Sequence, residues 1–142
     1  MNKRLVRTLP VAGLLVIGLA GPATAAVING TDGPDVLVGT SHADTIRGYG
    51  GADKIYGEGG GDRIYTGKDR KRDRVWAGPG ADRIHARTAD YIHAGAGNDV
   101  IRLTNVKMMA TTIIWCGPGR DRVYGLSDLG FYSSTHGCEV KN

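Results

Sequence analysis

A nine-residue unit recurs along most of this 142-residue chain and constrains its fold more than any other feature. Each regular copy has glycine in its first half, Asp at its sixth position and Ile, Leu or Val at its eighth. The regular copies are GTDGPDVLV (30–38), GTSHADTIR (39–47), GYGGADKIY (48–56), GEGGGDRIY (57–65), AGPGADRIH (77–85), AGAGNDVIR (94–102) and CGPGRDRVY (116–124). Self-similarity at a short fixed period indicates a solenoid of stacked coils.

Three further copies depart from the unit. The segment TGKDRKRDRVW (66–76) is two residues longer, ARTADYIH (86–93) is one residue shorter and has no glycine, and LTNVKMMATTIIW (103–115) lacks the Asp. The eighth position nevertheless stays apolar from Leu37 to Val123. We therefore expect the solenoid to run through the irregular copies.

A single reliably apolar position in each copy favours short strands over helices. A helix would need a wider apolar stripe, and each interior glycine would cost it about 1 kcal/mol. A three-residue strand with its central residue pointing inward fits the pattern. Two copies then form one coil of 18 residues, and copies n and n+2 stack in parallel about 4.8 Å apart. We predict an all-β fold, a right-handed solenoid of two parallel sheets.

The first 25 residues differ from the repeats. Lys3, Arg4 and Arg7 precede an apolar run over 9–20, and the small residues 23–25 follow a proline. This is the pattern of a secretory signal peptide, and the run is shorter than the roughly 20 residues that span a bilayer. We predict a signal peptide over 1–25 and a secreted, extracellular protein without a transmembrane anchor. Its removal leaves 15 Lys+Arg against 14 Asp+Glu, a balance that does not favour a nucleic-acid partner.

Cys116 and Cys138 are the only cysteines. In an exported chain an even count favours a disulfide. It would close a loop of 23 residues and contribute about 3 kcal/mol in the chain-entropy model. Two buried free thiols are the other interpretation. A zinc site would need more Cys or His ligands than two cysteines supply.

The copies fit the pattern G-x-G-G-x-D-x-U-x, where U is a large apolar residue, and residues 30–124 thereby resemble the RTX (repeats-in-toxin) family. The resemblance implies a parallel β-roll with Ca²⁺ between its turns. The segment CGPGRDRV (116–123), with the late pair Cys138-Glu139, is also similar to the end of small secreted actinobacterial calcium-binding proteins.

The repeated residues suit calcium chemically. Ca²⁺ takes about six to eight oxygen ligands from carboxylates and carbonyls, and glycine leaves carbonyls uncovered. Stacked Asp carboxylates would repel one another without a cation, so we expect folding to be coupled to extracellular Ca²⁺. We predict sites between Asp62 and Asp82 and between Asp82 and Asp99. The full set of candidate ligands and turn glycines is Asp62, Asp82, Asp99, Asp44, Asp35, Asp53, Gly57, Gly59, Gly78, Gly80, Gly95 and Gly97.

The two sides of the roll are unequal. One side carries Asp35, Asp53, Asp73 and Asp90, and the other carries Asp44, Asp62, Asp82, Asp99 and Asp121. The second side has the better glycine turns, so we expect the ion row mostly there, while the irregular copies should spoil sites at Asp73 and Asp90. An Asp in a glycine turn can also simply accept main-chain N–H bonds, which would leave a solenoid without metal.

The ninth position of one side forms a mostly aromatic column, which comprises Val38, Tyr56, Trp76, His93 and Trp115. It is either a ladder of rings that stabilises the sheet or a platform for a glycan or cell-surface polymer. The second interpretation would make the chain a metal-independent adhesion module. The outward seventh position collects Lys54, Arg63, Arg74, Arg83 and Arg122, solvated charges that discourage edge pairing.

Catalytic patterns are missing from the sequence. The four histidines have no HExxH spacing, and the serines have no G-x-S-x-G context. We assign residues 26–124 to the roll and 125–142 to a cap that closes its open end, which leaves no room for a catalytic domain. The sequence therefore predicts a non-catalytic calcium-binding monomer.

Overall fold

The computed structural model describes residues 15–17, 24–87, 90–104, 111–125 and 134–141. No helix occurs in these ranges, and hence none that is long and apolar enough to cross a membrane. The predicted signal peptide lies outside the described residues except for 15–17 and 24–25. Residues 126–133 and 142 of the predicted cap also lie outside them.

In the described part of the chain, short strands form two seven-stranded sheets. The first sheet contains β1 (Leu15–Ile17), β3 (Val36–Val38), β5 (Lys54–Tyr56), β7 (Arg74–Pro79), β9 (Tyr91–Ala96), β11 (Ile113–Trp115) and β13 (Ser134–His136). The second sheet contains β2 (Val27–Asn29), β4 (Thr45–Arg47), β6 (Arg63–Tyr65), β8 (Arg83–Ala86), β10 (Val100–Leu103), β12 (Arg122–Tyr124) and β14 (Glu139–Lys141).

Successive copies alternate between the sheets, and each strand pairs in parallel with the strand two copies away. Ile55 lies beside Val75 in the first sheet, and Ile64 lies beside Ile84 in the second. The predicted all-β roll of two parallel sheets, with copies n and n+2 stacked, is thus confirmed. The predicted strand length of three residues is wrong for β7 and β9, which have six residues each. Their pairing continues through Gly78 and Gly95.

Two columns of side chains fill the space between the sheets. The eighth-position residues, from Leu37 to Val123, are fully buried. The first residue of the following copy is buried as well, as at Ala77, Ala94 and Cys116. It lies two residues after the eighth position, and strand alternation therefore points both side chains inward. The nine-residue pattern did not reveal this second column because its residue type varies between copies.

The predicted cap extends both sheets, since β13 and β14 each add a strand to the end of the stack. The disulfide between Cys116 and Cys138, with a Cα–Cα distance of 5.4 Å, confirms the predicted pairing. Because Arg122 pairs with Glu139, Cys138 lies beside Asp121, at the place that the next Asp of the row would take.

The buried eighth position gives a test of the core. We expect Ile64→Ala to lower the free energy of unfolding by about 2–5 kcal/mol, because it leaves a cavity between the sheets. Val27→Ala is the control, since Val27 is 67% exposed and its loss should cost roughly 0.5 kcal/mol or less. Denaturant unfolding at saturating Ca²⁺ measures both, and equal losses would contradict the assigned register.

Candidate metal sites

Two rows of Asp side chains run along the stack of coils. The first row contains Asp35, Asp53, Asp73 and Asp90, and the second row contains Asp44, Asp62, Asp82, Asp99 and Asp121. Each of these residues is at most 3% exposed. The irregular copies at 66–76 and 86–93 keep their Asp in the first row.

One carboxylate oxygen extends the hydrogen bonding of the sheet in every Asp of the second row and in Asp53, Asp73 and Asp90. The Asp62 N–H donates to Asp82 Oδ1 at 2.8 Å, and the Asp82 N–H donates to Asp99 Oδ1 at 2.9 Å. The next N–H, that of Arg83, donates to the Asp62 carbonyl at 2.8 Å. The Asp side chain therefore acts as one more acceptor in the main-chain ladder, which is the structural role expected of an Asp in such a turn.

The other carboxylate oxygen has no such role in five of these residues. Among the described residues, none donates a hydrogen bond to the buried Oδ2 atoms of Asp53, Asp62, Asp82, Asp99 and Asp121. A buried acceptor without a partner costs about 1–3 kcal/mol, and more when it is charged. The rows thus contain oxygen atoms of the kind that hard cations bind and that the chain itself does not satisfy.

Burial raises the pKa values of these carboxyl groups. The pKa of Asp62, Asp82 and Asp99 rises from 3.8 to about 6, because burial disfavours the charged form and because the neighbouring carboxylates carry like charge. The N–H bond accepted at Oδ1 opposes the rise. A cation at the Oδ2 atoms would offset both the burial and the like charge.

The glycines of the turns differ in what they contact. A Cβ on Gly57 would lie 2.5 Å from Asp62 Oδ2 and would overlap the Ala77 carbonyl oxygen. These two oxygens therefore border one small hollow that only glycine leaves open. A Cβ on Gly59 would be 3.7 Å from its nearest neighbour, Ser41 Cα, an ordinary contact.

The remaining candidate glycines stack directly on carbonyl oxygens. Gly78, Gly80, Gly95 and Gly97 have φ values of 98°, 154°, 108° and 147°, a range that disfavours residues with a Cβ. A Cβ at any of them would overlap a carbonyl oxygen of the preceding coil, as at Gly80 over Gly60. The turns beside the second row therefore carry carbonyl oxygens that no side chain covers.

This donor set fits a calcium ion better than a transition metal. Within the described ranges, no three His, Cys, Asp or Glu side chains cluster in the way that a transition-metal site requires. Two carboxylates from neighbouring coils, together with uncovered carbonyls, would have to supply the ligands, and all of these are hard oxygen donors of the type that Ca²⁺ takes.

Comparison with known families decides what these repeats are. The sequence model of the RTX calcium-binding nonapeptide repeat, which spans four copies, matches residues 29–64, 69–89 and 86–103, half of the chain. The chain belongs to the RTX calcium-binding repeat family. Comparisons with curated proteins and with solved structures give no match. The structure continues the second row of this RTX roll beyond the matched residues, because the Asp99 N–H donates to Asp121 Oδ1 at 2.9 Å.

In each of the first two RTX copies, a threonine of the same copy donates hydrogen bonds to the second carboxylate oxygen of the Asp. Thr31 donates its N–H to Asp35 Oδ2 at 2.5 Å and its hydroxyl to the same oxygen at 3.0 Å. Thr40 does the same for Asp44 Oδ2, at 2.6 and 3.0 Å. The structure thus places Asp35 and Asp44 in the predicted rows but satisfies their second oxygens. Threonine at the second position of a copy is a signal that the sequence analysis missed.

The irregular RTX copies satisfy Asp90 in a similar way. Its Oδ2 accepts the Thr66 hydroxyl at 3.0 Å and the Arg87 N–H at 3.2 Å. Asp73 accepts the Asp53 N–H at Oδ1, and burial, together with the charge of Asp90, raises its pKa to about 8. In the first row, Asp53 has a fully buried Oδ2 without a partner among the described residues.

The glycine hollow gives a matched pair of variants. We expect Gly57→Ala to lower the stability of the calcium-loaded chain by about 1–3 kcal/mol, because its Cβ would push against Asp62 Oδ2 and a carbonyl. Gly59→Ala should change stability by less than about 1 kcal/mol, since its Cβ meets only an ordinary contact. Urea unfolding in the presence of Ca²⁺ measures the stability of both variants. Equal losses of stability would contradict the position of the hollow beside Gly57.

The raised pKa values predict how the metal-free chain responds to pH. A carboxyl whose pKa is 3.8 unfolded and about 6 folded binds more protons in the folded state between these values. Its stabilising effect is fully present below pH 3.8 and is lost as pH rises through about 6. In chelator, we therefore expect the denaturant midpoint to fall as pH rises from about 5 and to approach zero near neutral pH, where the carboxylates become charged.

Two observations make this pH prediction specific. Burial lowers the pKa of His93 and, together with the Arg102 charge, that of His85, and this favours the fold at higher pH, the opposite direction. Asp62→Asn removes one titrating carboxyl and should flatten the fall of the midpoint. A midpoint that rises with pH, or an unaltered slope in this variant, would refute the prediction.

Proposed function

We propose that the chain is a secreted, non-catalytic calcium-binding β-roll whose folding is coupled to extracellular Ca²⁺. The observation that carries the proposal is the row of buried Oδ2 atoms at Asp62, Asp82, Asp99 and Asp121, which have no partner within the described part of the chain. They lie at one strand spacing from one another, in an RTX repeat whose family binds calcium.

Electrostatics supports the coupling of binding to folding. Two carboxylates about 5 Å apart repel by roughly 3 kcal/mol at an effective dielectric constant of about 20. In the second row this repulsion adds to the burial of each charge, and only the N–H bond at Oδ1 opposes it. A cation between neighbouring coils would change the sign of this interaction, so that its binding free energy becomes folding free energy.

Two features support an extracellular setting. The basic start and short apolar run of residues 1–25 are typical of a secretory signal. The disulfide between Cys116 and Cys138 is of a kind that persists in oxidising compartments. Extracellular modules bind calcium at about 10⁻⁴–10⁻³ M, a range that would keep the chain unloaded before export.

The disposition of the carboxylates supports a binding role without catalysis. Paired carboxylates serve as acid and base when both face a substrate. Here Asp62, Asp82 and Asp99 each use Oδ1 for a main-chain bond and are buried in the stack of coils. We therefore assign them to a cation rather than to chemistry on a substrate.

The alternative, adhesion to a glycan through the aromatic column, has less support. Tyr56, Trp76, His93, Trp115 and His136 stack in sequence, with ring centroids 4.9, 6.1, 4.3 and 5.8 Å apart and planes within 13°. Sugars stack on ring faces, and here neighbouring rings cover those faces. The geometry favours a ladder that stabilises the outer surface of the first sheet.

Circular dichroism of the full chain tests the proposal. With Ca²⁺ present we expect the spectrum of a β-structure, and with excess chelator a large loss of it, because the buried carboxylates then repel one another. A β-spectrum that chelator leaves unchanged at neutral pH would overturn the coupling and favour the metal-independent solenoid.

Calorimetry of Asp82→Asn is the second arm of this test. Asp82 has neighbours on both sides of the row, so its loss should weaken two adjacent sites, each by about tenfold or more, since a lost charged contact costs about 1.5–3 kcal/mol. Asp32→Asn is the control, because Asp32 is exposed and outside both rows. Unaltered stoichiometry and affinity in the Asp82 variant would refute the assigned sites.

A further inference from the structure

A cavity of about 580 Å³ opens on the outer face of the second sheet. Its floor is formed by the ninth-position residues of three adjacent strands, Arg47 on β4, Tyr65 on β6 and His85 on β8. The Arg47 guanidinium lies 5.6 Å from the centre of the Tyr65 ring, which stacks on His85 at 5.0 Å. The floor is therefore a continuous stack with a cation at one end.

The wall of the cavity comes from the turns that follow these strands. Tyr49, Lys68 and Arg87 line it, and main-chain contacts brace them. The Arg87 guanidinium donates to the Lys68 carbonyl, and the Lys68 N–H donates to the Tyr49 carbonyl at 3.3 Å. Tyr49 remains 49% exposed, so its side chain stands at the rim rather than in the core.

The lining is strongly cationic. Arg47, Lys68 and Arg87 contribute three positive charges and Asp32 one negative charge, which leaves a net charge of +2. Burial lowers the pKa of His85, so that the imidazole is neutral at physiological pH and can accept or donate a hydrogen bond. None of these side chains belongs to the two Asp rows, which lie inside the roll.

Two irregular copies of the repeat border the cavity. Lys68 lies in the copy at 66–76, which has two extra residues, and Arg87 in the copy at 86–93, which has no glycine. In the second of these copies the chain itself satisfies the Asp90 carboxylate. The departures from the nine-residue unit therefore place two cations at the opening of a cavity.

We propose that this cavity binds a phosphorylated sugar. A phosphate monoester carries about two negative charges at neutral pH, which matches the net charge of the lining. Guanidinium groups bind phosphate in a bidentate fashion, and Arg47 and Arg87 supply two of them. The volume falls within the range of about 300–1,000 Å³ typical of small-molecule sites, which leaves room for a sugar ring beside Tyr49.

Calorimetry of the full chain with glucose 6-phosphate tests the proposal, at one fixed saturating Ca²⁺ concentration. We expect binding that is at least about tenfold tighter than that of inorganic phosphate, because the sugar adds contacts, and no measurable binding of glucose. Arg87→Gln should weaken the binding of glucose 6-phosphate by about tenfold, since a charge-assisted bidentate contact is lost. Lys68→Gln provides a second variant if the first does not fold.

Arg122→Gln is the matched control, because Arg122 is an exposed cation on the outer face of the same sheet but outside the cavity. Its affinity should stay within about twofold of the parent. Absence of glucose 6-phosphate binding, equal weakening in the control, or equal affinity for inorganic phosphate would each overturn the proposal. Because the cavity residues are separate from the Asp rows, failure here leaves the calcium assignment untouched.

Discussion

The rest of the structure depends on the parallel stacking of coils in register. At one strand spacing, each repeated residue lies directly beside the equivalent residue of the next coil. Where the repeated residue is Ile64 over Ile84, the superposition excludes water and stabilises the fold. Where it is Tyr56 over Trp76, the rings stack. Where it is Asp62 over Asp82, like charges are brought together inside the protein, and there regular stacking opposes folding.

The Asp rows reconcile the two interpretations that the repeat allows. Oδ1 of Asp82 serves as a structural acceptor for a main-chain N–H, as it would in a solenoid without metal. Oδ2 of the same residue is buried without a partner among the described residues, as calcium binding would require. The two roles belong to different oxygens of one carboxylate, so the sequence pattern alone could not separate them.

The fold could be predicted from the sequence because the apolar eighth position repeats regularly. This position determines where each strand lies and which strands pair in the stack. The location of the metal sites was less accessible. The nine-residue unit treats Asp44 and Asp62 alike, and the difference lies in the hydroxyl of Thr40, whose contact with Oδ2 depends on the shape of the turn. The cavity depends on where the longer copy leaves Lys68 relative to Arg87, a distance that no linear pattern encodes.

The position of the disulfide has a consequence for the end of the stack. Repeat arrays fray from their termini, because a terminal coil has a neighbour on one face only. In the second row each Asp N–H is satisfied by the carboxylate of the following coil, and at Asp121 the following residue in the row is Cys138, bonded to Cys116. A disulfide therefore links the last coil to the preceding one at the position where the Asp row ends. Unfolding from this end of the stack must separate the last coil while this covalent link is still intact.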